Sequence, residues 1–126
     1  MIQPKDTKRF LEALFSGRLT EADNVLSRLA KRHKTPEEQR YLKALDGLMY
    51  SYVNDDKEAL IYRLYRADNP EDYRRRALND MRRLANRPVV GEDPFFKAWA
   101  DVLEMLDKLP QPHKIKQNQQ QREEEE

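Results

Sequence analysis

Three times along this 126-residue chain a residue suited to cap a helix is followed at once by proline: Thr35-Pro36, Asn69-Pro70 and Asp93-Pro94. A cap side chain accepts a hydrogen bond from the first free amides of a helix. Proline at the next position has no amide to leave unsatisfied, and its φ is already helical. The three steps therefore mark helix starts. At the first, Glu38 stands three residues after Thr35 and completes a T-x-x-E capping box.

The apolar residues follow the same reading. Phe10, Leu11, Leu14 and Phe15 form the stripe of a first helix that begins near Asp6 or Thr7, ends at Ser16 and is stopped by Gly17. A second helix takes Thr20 as its cap, buries Ala22, Val25, Leu26, Leu29 and Ala30, and closes on Lys31, Arg32, His33 and Lys34. The third runs from Thr35 to Asn54, with an apolar face from Tyr41 to Val53 wide enough for two neighbours. The fourth is expected over Asp56–Ala67, with Tyr62 and Arg66 pointing outward. The fifth starts at Asn69-Pro70. The sixth, from Asp93 to Leu109, carries apolar residues over more than half its circumference. The stretch from Asn86 to Asp93, with Pro88 and Gly91, reads as an irregular connection. No strand-like alternation occurs. The expected class is all-α: about six helices in three antiparallel hairpins, as an array or a compact bundle, in a single domain over 1–110.

From Pro110 onward the composition turns to proline, lysine, glutamine and glutamate, so 111–126 is expected to be a disordered polar and acidic tail. Removing Pro112–Glu126 is then expected to leave the melting temperature almost unchanged.

Chemistry that needs special residues is not encoded locally. There is no cysteine, which removes disulfides and thiolate metal sites and suits a cytoplasmic protein. No apolar run approaches the roughly 20 residues of a membrane span. His33 and His113 lack a second ligand at metal spacing, Gly17, Gly47 and Gly91 are isolated, and the pairs Glu37-Glu38 and Asp55-Asp56 sit at helix starts, where capping explains them. The expectation is a protein that is not an enzyme and uses no cofactor or metal.

Two of the helix pairs resemble tetratricopeptide repeats. Gly47, Tyr50, Asn54, Ala59 and the Asn69-Pro70 step follow that family's spacing, and Gly17, Ala22 and Leu26 follow it in the first pair. Ala22 and Ala59 lie 37 residues apart rather than the family's 34, the third pair lacks the pattern, and the tryptophan-leucine-glycine signature is missing. The resemblance covers about half the chain. It implies a right-handed array of hairpins that serves as an interaction scaffold.

The strongest functional signal is Ile61–Arg87. It contains eight arginines and no lysine, opposed by Asp68, Glu71, Asp72 and Asp80, for a net +4 in a chain whose overall charge is +1. With Tyr73–Arg87 as a helix, Tyr73, Ala77, Leu78, Met81, Leu84 and Ala85 share an arc of about 140°, with Arg75, Arg76, Arg82, Arg83 and Arg87 opposite and Arg74 snorkelling from inside the arc. Guanidinium forks suit phosphate, and the interleaved Tyr62, Tyr65 and Tyr73 suit stacking on bases. Tyr62, Arg63, Arg66, Arg75, Arg76, Arg82, Arg83 and Arg87 are therefore the candidate nucleic-acid or anion-binding residues. The partner expected is structured RNA or a ribonucleoprotein such as a ribosomal subunit. The alternative is a tetratricopeptide-like adaptor that grips a partner protein's peptide in a helical groove. The broad apolar surface of the last helix leads to a further expectation, self-association as a homodimer through Phe95, Phe96, Trp99 and Leu103.

Overall fold

A computed structural model describes residues 2–87 and 91–115. Helix α1 (Pro4–Phe15) starts earlier than its apolar stripe, because Pro4 occupies its first position and Asp6 accepts from the Gln3 amide at 3.1 Å. Gly17 ends it with φ +82°, a left-handed conformation that only glycine adopts readily. Helix α2 (Leu19–Arg32) begins one residue before the expected cap: Arg18 takes that position, pairs with Glu21 at 2.8 Å, and leaves Thr20 inside the helix.

Helix α3 (Pro36–Val53) opens on the capping box, with the Glu38 amide 3.2 Å from Thr35 Oγ1 and Thr35 Oγ1 donating to Glu38 Oε1 at 2.8 Å. Helix α4 is only Leu60–Arg66. The expected first turn at Asp56 is lost because Asp55 has φ 55° and Asp56 uses its carboxylate and carbonyl to bind the amides of Glu58 and Ala59, closing a turn of its own. Helix α5 (Pro70–Ala85) is capped by Asn69, as its sequence indicates.

The Asn86–Asp93 connection is a small antiparallel ribbon, β1 (Asn86–Arg87) with β2 (Gly91–Glu92), rather than irregular chain. Residues 88–90 lie outside the described residues. The Asp93 amide donates to Ala85 at 2.7 Å, and Asp93 caps α6 (Pro94–Met105), which tightens into a 3-10 turn, Leu106–Lys108.

The mostly helical architecture fits the all-α expectation. Helix α6 packs on α5 and α3 and reaches α1, while α1 pairs with α2. The core consists of Phe10, Leu11, Leu14 and Phe15 of α1, Leu45, Leu48 and Tyr52 of α3, and Val102 and Leu103 of α6. Two expectations change here. Leu103 is 1% exposed, so it is a core residue and cannot self-associate, and Phe95, Phe96 and Trp99 are half-buried. The breadth of the α6 apolar face is explained by its three neighbours within one chain.

The domain also extends past Pro110. Pro112 and Ile115 are buried, and the His113 ring packs against Tyr52 with its Nδ1 2.7 Å from the Tyr52 hydroxyl. Lys114 Nζ donates to the carbonyls of Tyr52 and Val53 and to the Asp55 carboxylate, at 3.0–3.1 Å. A cation 61 residues away thus satisfies the last carbonyls of α3. A single buried isoleucine in a polar segment carries no periodic signal, which is why 111–115 reads as tail. Residues 116–126 lie outside the described residues.

Candidate nucleic-acid interface

The arginine stretch spans α4, α5 and β1. Its first two members, Arg63 and Arg66, are exposed on α4 and have no ion-pair partner among the described residues. On α5 the outward arginines are Arg75, Arg76, Arg82 and Arg83, whose side chains are 51–79% exposed. Arg87 follows on β1, also exposed.

These guanidiniums are not bare. Asp72 takes both Arg75 at 2.6 Å and Arg76 at 3.0 Å, Asp80 takes Arg83, and Glu104 of α6 takes Arg82 at 3.5 Å. Asp72 serves two cations because it sits one turn before both. Pairs this exposed contribute about 0–1 kcal/mol each, so they hold the side chains loosely and yield to a stronger anion. Each guanidinium has five N–H donors, and one carboxylate contact leaves most of them free.

Tyr62 does not belong to this surface. It is 5% exposed, and its hydroxyl lies 2.9 Å from the Tyr52 carbonyl and 3.0 Å from the Asp55 carboxylate, to which it donates. Burial, followed by the Asp55 carboxylate, raises its hydroxyl pKa well above the ordinary tyrosine value. On the shortened α4 Tyr62 lies inward, where its ring stacks on Tyr52 and Lys57 Nζ sits 4.6 Å from its centre. Tyr65 and Tyr73 are half-buried against the core as well, and burial pushes the Tyr65 hydroxyl up to about 12. The three tyrosines are withdrawn from the surface, and the exposed face of α5 carries its arginines with Asn79 and Asp80 among them.

Arg74 does not snorkel to water. Its side chain is 16% exposed and reaches the end of α6, donating from Nη1 to the Leu103 carbonyl and from Nη2 to Asp107, both at 3.1 Å. Its Nε is buried without a hydrogen-bond partner among the described residues. Arg74 is a strut between α5 and α6 and leaves the outer face to its neighbours.

Asp93 marks where the cationic stretch meets the ribbon. Desolvation raises its carboxyl pKa, but the Arg40 guanidinium at 2.9 Å, the Phe95 amide and nearby Arg87 together hold it below the ordinary range. Arg40 lies on α3, so this pair ties α3 to the α6 start.

Concave sites also lie away from this face. A cleft of about 410 Å³ is lined by Ile2, Thr35, Glu37, Tyr41, Glu92 and Lys97, with Tyr41 engaged elsewhere by Thr7 and Asp101. A groove of about 300 Å³ between α3, α4 and α6 includes Gly47, Ala59, Phe95 and Trp99. Among the described residues no three His, Asp or Glu side chains gather as a metal site, and no helix is long and apolar enough to cross a membrane. Compared with known proteins, the chain matches no family model, no curated protein and no solved structure.

Proposed function

We propose that this protein is a non-enzymatic helical binding factor that docks on structured RNA or a ribonucleoprotein, such as a ribosomal subunit, through Arg63, Arg66, Arg75, Arg76, Arg82, Arg83 and Arg87. The observation that carries the reading is the outer face of α5, where four exposed guanidiniums are held only by surface carboxylates. Exchanging such a carboxylate for a phosphate sacrifices little, gains two-point contacts and releases counterions. Arginines on a helix face, with the tyrosines withdrawn into the core, suit phosphate-backbone contact rather than base readout.

The experiment is the triple variant Arg75→Gln, Arg82→Gln and Arg83→Gln, with filter binding to bulk ribosomal RNA at several salt concentrations. The variant is expected to melt close to the parent, since exposed changes stay within about ±0.5 kcal/mol each. Its slope of log K against log salt should be shallower by roughly 0.7–0.9 for each lost contact. A stable variant with the parent's affinity and slope overturns the reading.

The groove between α3, α4 and α6 favours a second reading, a tetratricopeptide-like adaptor. Gly47 and Ala59, two of the residues that carry the resemblance, line it, and the space beside the Gly47 Cα is open. Tyr50 in the same helix is 71% exposed. In that case the triple variant binds its protein partner unchanged, while Trp99→Ala removes binding.

A further inference from the structure

The charge of this chain is sorted by helix pair. Residues 1–34 carry eight lysines and arginines against four carboxylates, a net +4 that equals the arginine stretch, and the segments following each of these two are acidic. A turn of three residues, 16–18, makes α1 and α2 an antiparallel pair, so the first half of α1 lies beside the last half of α2. Lys5 and Arg9 of α1 thereby join Arg28, Lys31 and Arg32 of α2, with Lys34 just beyond, at one end of the hairpin. All six are exposed.

Three features distinguish this cluster from an ordinary solvated face. First, none of the six has an ion-pair partner among the described residues, in contrast to the outward arginines of α5. Only Lys8 beside them reaches a carboxylate, Glu12 at 3.9 Å. Asp6 is occupied by the Gln3 amide and Glu38 by Thr35 and His33, which leaves Glu37 as the exposed acid nearby. Second, Lys5 lies in the first turn of α1, where the helix dipole disfavours cations. Third, Lys5–Arg9 and Arg28–Arg32 are like-charge pairs at i,i+4, each destabilising a helix by a few tenths of a kcal/mol. The dipole accounts for Lys31 and Arg32, which close α2, but not for the cations on α1.

We infer that this end of the α1–α2 hairpin is a second phosphate-contacting face for the same RNA partner. The inference rests on the RNA reading above and extends it: the footprint is bipartite, with three lysines and three arginines here and the arginine forks of α4 and α5 as the other part. Two separated cationic faces match a partner whose phosphates recur along a folded strand, rather than a single short anionic peptide.

The test uses the full chain and bulk ribosomal RNA. One variant neutralises this face (Lys5→Gln, Arg9→Gln, Lys31→Gln and Arg32→Gln), and the other is the α5 triple variant. Glutamine is as good a helix former as lysine, so the helices are retained; relief of the like-charge contacts partly offsets the lost dipole interaction of Lys31 and Arg32, and the melting temperature should stay close to the parent's. The first variant is expected to bind at least tenfold more weakly at low salt, with a slope shallower by roughly 3, as four lost contacts require. A charge-retaining control, Arg9→Lys with Arg32→Lys, should bind like the parent. If the neutral variant keeps the parent's affinity and slope while the α5 variant loses both, this second face is overturned and the arginine reading stands. If the neutral variant alone weakens, this face stands and the α5 face falls. If the parent does not retain RNA, both fall.

Discussion

Tyr41 joins three helices through one oxygen. Its hydroxyl donates to Asp101 Oδ2 of α6 at 2.8 Å, and a carboxylate can only accept, so the contact with Thr7 of α1, also 2.8 Å, must be a donation from Thr7 Oγ1. Thr7 is fully buried inside α1. Burial raises the Tyr41 pKa; Thr7's donation opposes this and the Asp101 carboxylate reinforces it, so the hydroxyl keeps its proton far above neutral pH. Tyr41→Phe strands the Thr7 hydroxyl and leaves Asp101 Oδ2 with Lys97 Nζ, at 3.3 Å, as its remaining partner, and is expected to cost about 1–3 kcal/mol. Adding Thr7→Val removes the stranded partner, so the double variant should lose less than the sum of the singles. Urea denaturation of the four proteins measures the coupling, and strict additivity would contradict the chain of donors.

At the scale of elements, both ends of α3 are tied down by side chains. At its start, the Thr35 hydroxyl is the largest influence on Glu38; His33 adds to it against the opposing effect of desolvation, and the carboxyl pKa falls from its ordinary 4.5 to about 2. A carboxylate with a depressed folded-state pKa adds stability that is fully present above about 4.5 and fades as pH falls toward 2. Thr35→Ala should cost about 1 kcal/mol at pH 7, and thermal melts between pH 2 and 7 should show a flatter acid limb than the parent's. At the other end of α3, the segment Pro112–Ile115 lies against Tyr52 and Gly17. A chain ending at Gln111 loses a buried isoleucine and the cation on the α3 carbonyls. It should be less stable by about 2–5 kcal/mol, the range for deleting a buried aliphatic side chain. An unchanged melting temperature would return 112–115 to the status of tail.

For the whole molecule, the position of α6 decides how much apolar surface faces outward. Because α1, α3 and α5 cover it, the reason for a dimer through Phe95, Phe96, Trp99 and Leu103 is gone, and light scattering should report a monomer near 15.1 kDa. A concentration-dependent dimer would show that the half-buried Phe95, Phe96 and Trp99 suffice. The same coverage lets Arg82 meet Glu104 and Arg74 meet Asp107, so the acidic last helix neutralises part of the arginine helix that precedes it.

The sequence by itself determined the helices whose ends are local events. Thr35, Asn69 and Asp93 cap as their neighbours dictate, and Gly17 stops α1, because the cap atoms and the amides they bind lie within three residues of one another. It also placed Arg75, Arg76, Arg82 and Arg83 outward, since helical periodicity sets the side of a residue once the apolar stripe is known. Tertiary structure decided the rest. Tyr62 turned inward because the turn at Asp55–Ala59 delayed α4 and because Tyr52 and Asp55 offered acceptors across the chain. Lys114 found the end of α3 across 61 residues, a contact no local pattern announces. Which cations stay unpaired was likewise settled in space: the α5 arginines found Asp72, Asp80 and Glu104, while Lys5, Arg9 and Lys31 found no described carboxylate. Composition fixes the number of charges, but which of them meet depends on how the helices pack.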